Sequence, residues 1–381
     1  MKKISGFALA LSLLSACSHI SGPSPVRKAE PILQRGWYYL ERDKELLSLE
    51  AGVDPVSFSA PILAGEKLVF GSDRFGIIAL QRKTGRLLWR RNLDGGVMSA
   101  PLVDSSKVFV GTESGSVYAL DLNGGAERWR ATISGPAQGS FLLAFQRLYV
   151  SSADEALHCF DPSTGKLLWS YRRPGISGTT IRGGGNPAVI AGRIWIGFAD
   201  GTLVSLNPES GGVESEKQFR DGLKFTDIDA RIVGWREGLL VSTYDGHLRY
   251  LRKDGSTVWD FPQGGARAPV VGEGEVIYFP SSNGAVYALS GNTGKEIWNF
   301  PLRRGVPSSV ALLTLNQKKV LVVTGSEDKV YVLDAINGQM LAQSSLGRGS
   351  GSYASIAADS EAGTFYVLSH FSRVHEFRLR L

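Results

Sequence analysis

SAPLVDSSKVFVGTESGSVYALDLNGGAERW, residues Ser99–Trp129, reads as four short strands. Pro101–Val103 is the first. Lys107–Gly111 is the second, with Val108 and Val110 alternating. A Ser114-Gly115 turn leads to Val117–Asp121, and an Asn123-Gly124 turn leads to a last strand carrying Trp129. Alternating apolar residues between Gly-containing turns are the signal of a β-meander.

The unit recurs on both sides. Ser59–Trp89 is SAPILAGEKLVFGSDRFGIIALQRKTGRLLW, and Gly139–Trp169 is GSFLLAFQRLYVSSADEALHCFDPSTGKLLW, so Trp89, Trp129 and Trp169 stand 40 residues apart. Trp259 and Trp298 end two further units, 39 residues apart. The 90 residues between Trp169 and Trp259 leave room for a unit without its tryptophan, visible as NPAVIAGRIWIGFADGTLVSLNPESGG at Asn186–Gly212. VLVVTGSEDKVYVLDAINGQ, Val320–Gln339, is another without one. A four-stranded unit at this period is the signature of a β-propeller. A tandem of β-sandwiches is disfavoured, since it needs about seven strands and roughly 100 residues per unit.

The two chain ends are complementary. Ser352–Ala358, Thr364–Ser369 and Arg373–Leu381 read as three strands with no fourth. In the last, Phe377, Leu379 and Leu381 alternate with Arg378 and Arg380, so one face is buried. Glu45–Glu50 reads as a fourth strand with no preceding three, because Leu49 lies 12 residues before Pro61 just as Trp89 lies 12 before Pro101. Pairing strand 45–50 with the C-terminal strands closes the ring and removes its open edges. The expected fold is all-β, an eight-bladed β-propeller of four-stranded antiparallel blades spanning residues 45–381. Seven blades, with the last segment docked outside, is the lesser alternative. Periodicity does not decide the aromatic run Trp37–Leu40, which fits a strand or a small plug.

The chain has 381 residues, 43% hydrophobic and 10% aromatic, which suits a packed globular protein. Its net charge of +6 comes without a long basic run and reads as a solvated surface, not a nucleic-acid stripe. Residues 1–16 read as a signal peptide. Lys2 and Lys3 precede an apolar core, Phe7–Leu14, that is too short to span a bilayer. Residues 17–44 read as a tether, polar and Pro/Gly-containing over 18–31. Leu14-Ser15-Ala16-Cys17 resembles the lipobox of bacterial lipoproteins. The resemblance implies cleavage before Cys17 and lipid on its sulfur and amine; the alternative is an ordinary secretory leader. Buried methylenes at about 0.8 kcal/mol each, over several acyl chains, then anchor the protein. Ser18 implies, by the same resemblance, the outer membrane.

Few residues suggest chemistry. Cys159 lies in LHCF, aligned with inward-facing Ala119, and reads as a small hydrophobe. His19, His158, His247, His370 and His375 are scattered without ligand spacing. Gly183-Gly184-Gly185 is followed by no Lys and no helix start, so it is not a phosphate loop. Asp200-Gly201, Asp245-Gly246, Asn283-Gly284 and Asn337-Gly338 read as turns that tolerate positive φ. The repeated tryptophans read as staples between blades.

The consensus V-Y-A-L-D…T-G-K-x-x-W over residues 55–350 resembles the repeats of pyrroloquinoline quinone (PQQ) enzymes and their non-enzymatic relatives. In the enzymes, adjacent cysteines form a disulfide over the cofactor, Glu and Asn hold Ca²⁺, and an Asp acts as base. This chain has no cysteine pair and is shorter. The expectation is therefore no enzyme and no cofactor, with a PQQ-dependent dehydrogenase as the alternative.

The period breaks in two places. Pro101 to Pro187 is six residues longer than two periods, and Gly201 to Gly246 is five longer than one. The excess falls at Tyr171–Asn186 and Glu216–Asp229. Both join an outermost strand to the next innermost one, so they emerge on one face, one blade apart. Loops on rigid frames carry function, although insertions there also cost little. The first carries Thr179, Ile181 and Arg182, an apolar anchor beside a cation. The second carries Asp227 and Asp229 around Ile228, and an internal Arg182–Asp salt bridge is compatible with the same arrangement.

Thr179–Pro187, TTIRGGGNP, and Asp227-Ile228-Asp229 resemble two motifs of the BamB family, the propeller lipoproteins of the outer-membrane β-barrel assembly (Bam) machinery. Thr179 is polar where that family has an apolar residue. The resemblance implies a monomeric, non-catalytic scaffold at the periplasmic face of the outer membrane. Thr179, Ile181, Arg182, Asp227 and Asp229 would bind a POTRA domain of BamA, alongside other Bam subunits. An adaptor of another envelope complex is the remaining alternative.

Overall fold

Runs of consecutive apolar residues in the middle strands make each repeat a sheet with two buried faces and an exposed rim. In the second repeat, Leu102–Asp104, Lys107–Gly111, Ser116–Asp121 and Glu127–Thr132 pair in sequence order as one antiparallel sheet. Val108, Phe109 and Val110 are fully buried, as are Val117, Ala119 and Leu120, because neighbouring sheets cover both faces. Glu127 and Arg128, on the outermost strand, face solvent.

The computed structural model describes residues 32–40, 59–174, 185–219, 226–265, 267–347, 349–370 and 372–381. Over these it contains eight four-stranded antiparallel sheets. Blades one to seven run in chain order over residues 62–91, 102–132, 137–172, 188–218, 233–261, 270–301 and 307–345. Blade eight is composite. Its first three strands are Ala357–Asp359, Thr364–Ser369 and Arg373–Leu379, and its outermost is Leu33–Leu40. First strands of successive blades touch one another, so they line the centre and the fourth strands form the rim. The core is a series of apolar layers between blades, such as Val69, Ile77, Ala79 and Trp89 against Val108, Val110, Tyr118 and Leu120. The eight-bladed ring and its closure by N- and C-terminal strands are as expected. The lesser seven-bladed alternative falls with the composite sheet.

The closing strand is not segment 45–50, which lies outside the described residues; it is Leu33–Leu40, and it contains the undecided aromatic run. Tyr38, Tyr39 and Leu40 pair with His375, Val374 and Arg373, and Leu33 with Leu379. The 12-residue spacing pointed to the wrong segment because 21 residues separate Leu40 from Ile62, whereas 10 separate Arg91 from Leu102. Placement of the strand follows Trp37, which belongs to the tryptophan series.

Each tryptophan on an outermost strand packs on a turn of the next blade. Trp89 lies against Gly125 and donates its indole N–H to the carbonyl of Leu122, at 3.0 Å. Trp129 does the same with Gly165 and Pro162, Trp169 with Gly211 and Pro208, Trp259 with Gly294 and Gly291, and Trp298 with Gly338 and Ala335. Trp37 packs on Gly85 and donates to Arg82, which joins blade eight to blade one. The turn is not the two-residue Asn123-Gly124 link expected from sequence. It spans five residues, with Asp121 N–H bonded to Ala126 O and Gly125 at φ +69°. A Cβ on Gly125 would stand 2.8 Å from the Trp89 ring, so a glycine is required twice over, for its φ and for the indole's approach.

Two seams lack the tryptophan, and both have a cause in the neighbouring turn. In blade seven Ala342 occupies the position, pairing with Val332 as Trp129 pairs with Ala119. Blade eight offers it no turn, because its third and fourth strands come from opposite chain ends, bridged by Arg380 N–H to Ile32 O at 2.9 Å. In blade four Ser215 occupies the position. The blade-five turn is one residue shorter, closed from Arg252 N–H to Ser256 O, and Lys217 covers it instead. The Lys217 stem lies 3.6 Å from where a Gly255 Cβ would be, and its ammonium donates to Gly255 O and lies 3.4 Å from Thr257 Oγ1.

Candidate functional site

Connections from a fourth strand to the next first strand share a face with the turns between second and third strands. Asp94, in such a connection, shows this by accepting from Thr112 Oγ1 at 3.0 Å and Ser116 Oγ at 2.6 Å across the next blade's turn. The two lengthened connections flank blade four on this face. The first runs from Arg172 to Ala188 and the second from Gln218 to Val233.

The first connection starts under tight restraint. Arg173 is largely buried; it pairs with Asp200 Oδ2 at 3.2 Å and Glu216 Oε1 at 2.9 Å, and bonds Thr202 Oγ1 at 3.2 Å. Burial opposes its charge, but the Glu216 hydrogen bond and Asp200 outweigh it and hold the pKa above the ordinary arginine value. Its N–H also donates to Glu155 O, and Glu155 in turn accepts from Ala199 N–H at 3.1 Å. Blade three is thus tied to the turn of blade four where the connection departs.

The second connection starts at Phe219, whose N–H donates to Gly201 O at 2.9 Å. Arg249 stands 5.0 Å and Lys217 5.3 Å from the Phe219 ring centroid. It ends by laying Thr226–Asp229 across the end of blade four. Ile228 N–H donates to Phe198 O at 3.1 Å, and Tyr244 N–H donates to Asp227 O at 3.0 Å. The Ile228 side chain is 1% exposed and packs with Ile190, Phe219, Ile232 and Val241 in the core between blades four and five. It lies directly over Gly197, where no Cβ would fit.

Of the residues singled out from sequence, Asp227 and Asp229 are described; Thr179, Ile181, Arg182 and Cys17 lie outside the described residues. Asp227 is 4% exposed, whereas Asp229 is half-buried. Alternation in an Asp-Ile-Asp triplet does not reveal this asymmetry.

Sequence reading missed the residue that joins the two connections. Asn186, at the end of the first, donates from Nδ2 to the backbone oxygen of Asp229 in the second, at 2.8 Å. Its Oδ1 accepts from Ser140 N–H on the first strand of blade three, at 2.6 Å. That N–H is available because the pairing of this strand is irregular between Gln138 and Leu142, with Gly139 at φ +71°. Beside it, Gly185 is buried against the backbone of Gly197 and Ile228; a Cβ there would stand 2.8 Å from Ile228 O. The only hint in sequence was a polar residue before Pro187.

Other expected roles have clear places. Cys159 is fully buried between blades three and four, where desolvation raises its thiol pKa to about 11 and keeps it protonated. His158 and His375 are buried in third strands, 3.0 and 3.1 Å from Ser152 Oγ and Ser369 Oγ. His247 sits after its turn, 2.7 Å from Asp260. Among the described residues no three His, Cys, Asp or Glu side chains are grouped to hold a metal ion, and no helix is long and apolar enough to cross a membrane.

The sequence profile of a family described as outer membrane protein assembly factor BamB matches residues 44–123, 74–299 and 245–345, most of the ring. The chain belongs to the BamB family. The crystal structure of BamB from Moraxella catarrhalis is similar to it at TM-score 0.73 and 18% identity, covering 91% of this chain and all of that one. Quinohemoprotein alcohol dehydrogenase ADHIIG from Pseudomonas putida HK5 is also similar, at TM-score 0.74 and 12% identity, covering 92% of this chain and 76% of that one. A europium-containing methanol dehydrogenase matches at TM-score 0.73 and 12% identity, over 91% of this chain and 93% of that one. Identities this low establish the shared propeller and nothing finer. A comparison with curated protein sequences finds no significant match. Membership in the BamB family accounts for the PQQ-type repeats.

Proposed function

We propose that this protein is a non-catalytic scaffold lipoprotein of the outer-membrane β-barrel assembly complex. In this reading lipid on Cys17 holds it at the periplasmic face of the outer membrane. The two long connections around blade four bind a POTRA domain of BamA and help barrel precursors reach insertion. The observation that carries the reading is the 2.8 Å bond from Asn186 to Asp229, which sets the ends of both connections side by side on one face. Family membership supports the same assignment. A specific interface needs about 800 Å² per partner, within reach of a face two blades wide.

Burial divides the work between the two carboxylates. In this reading the buried Asp227 braces the connection from within, and the half-buried Asp229 shares the partner contact with Arg182. The test is capture of a purified BamA POTRA fragment by the full chain. Arg182→Ala and Asp229→Ala should each weaken capture about tenfold, the size of one or two lost polar contacts, with the unfolding midpoint unchanged. Undiminished capture by both variants would refute the site. The shared fold with quinone dehydrogenases keeps one rival in view. Supplying PQQ and Ca²⁺ and finding alcohol-dependent dye reduction would favour that rival.

A further inference from the structure

We infer that Asn186 is a positioning residue for partner capture: it sets the spacing between the two connections and does so without touching the partner. This rests on the interface proposed above. One side chain reaches three successive blades. It accepts from Ser140 N–H at the inner strand of blade three, sits at the entry to blade four, and donates to Asp229 O at the entry to blade five. Its two bonds use opposite ends of one planar amide, so the distance from Ser140 to Asp229 is set by a rigid group and not by a pair of flexible side chains. The surroundings allow no slack. Gly185 is packed against the backbones of Gly197 and Ile228, and Ile228 is locked in the core below. The Asp229 backbone is therefore held from beneath by Ile228 and from the side by Asn186. The Asp229 residue held at this fixed point is half-buried. Preorganising two contact segments lowers the ordering cost of association, and removing that restraint weakens binding without removing any contact.

Two variants of the full chain separate the halves of the device. Asn186→Ala removes both bonds. Asn186→Asp keeps an acceptor for Ser140 N–H but presents oxygen, not N–H, to the Asp229 carbonyl. Capture of the POTRA fragment should fall about tenfold in both, while the thermal midpoint stays within a few degrees of the parent. Combining Asn186→Ala with Asp229→Ala should cost less than the product of the two single losses, because spacing no longer matters once the positioned carboxylate is gone. Full capture by Asn186→Asp overturns the inference, since only the Ser140 bond would then count. Strictly multiplicative losses overturn it too, as does a loss of capture that follows a fall of the midpoint to the assay temperature. If Arg182→Ala and Asp229→Ala leave capture intact, the interface itself is wrong. If they weaken it and both Asn186 variants do not, the interface stands and the positioning role is refuted.

Discussion

Trp37 donates its indole N–H to the backbone oxygen of Arg82, 3.0 Å away and 45 residues along the chain. The bond fastens the N-terminal strand of blade eight to blade one. Beside it Arg82 pairs with Asp359 on the first strand of blade eight, and the Tyr366 ring lies tilted at 39° to the Trp37 ring, 5.7 Å between centroids. The last seam of the ring is therefore built like the internal ones, although its two sides come from distant parts of the sequence.

Trp37→Ala should cost about 3–5 kcal/mol of unfolding free energy, the range for deleting a large packed aromatic side chain. Trp37→Phe keeps most of the packing and loses the hydrogen bond, for about 1 kcal/mol. Urea unfolding followed by tryptophan fluorescence checks both. Equal effects would show that the ring contributes nothing beyond its N–H.

The shelf glycines should divide into two classes. At Gly165, φ is +74° and a Cβ would lie 2.5 Å from the Trp129 ring. Gly165→Ala must both strain the backbone and displace an indole, costing roughly 3 kcal/mol or more. At Gly255, φ is +83° but the nearest atom to a Cβ would be a Lys217 methylene at 3.6 Å. Gly255→Ala should cost only the strain, about 1–2 kcal/mol. Thermal unfolding of the pair tests whether the Lys217 seam is the more forgiving one.

Blade five hides an ion pair: Arg249 and Asp245, 2.7 Å apart, have side chains 5% and 0% exposed. Burial pushes the Asp245 pKa up, yet the hydrogen bonds from Arg249 and Thr243 and the Arg249 charge bring it below the usual carboxylate value. Arg249→Met strands the carboxylate and should destabilise by about 3–5 kcal/mol. Converting Asp245 to Asn in the same chain should recover part of the loss. No recovery would mean that the charge was not the problem.

Acid should weaken the closing blade. His375 is 4% exposed; burial, and then the charges of Arg35 and Arg373, depress its pKa from the ordinary 6.5 to about 4. Because the folded value is the lower one, the unfolded chain takes up a proton first. Stability therefore falls as pH drops from about 6.5 to about 4 and loses no more below that, a change on the order of 3 kcal/mol. Urea midpoints at pH 7 and pH 4.5 measure it, and His375→Gln should flatten this part of the profile. An unchanged slope in that variant would assign the acid sensitivity to other groups.

Much of this architecture was legible before any coordinates. Val108 and Val110 alternate because a strand buries every second residue on each face, and Trp89, Trp129 and Trp169 repeat because each staple needs a turn one blade on. The two lengthened connections also stood out as departures from that period. The missing tryptophans at Ser215 and Ala342 were visible as gaps, but not their reasons. One reason is a turn shorter by a residue, and the other is a turn that the chain ends replace.

The amino-acid sequence by itself determined the period, the number of blades and the face on which the long connections emerge, since alternation and turn chemistry act between near neighbours. Only the tertiary structure decided that 33–40 closes the ring in place of 45–50. It also decided that Asp227 is buried while Asp229 is half-buried, and that Asn186 ties three blades together. These outcomes depend on which backbone groups from separate blades come within hydrogen-bonding distance, and no local pattern along the chain encodes that distance.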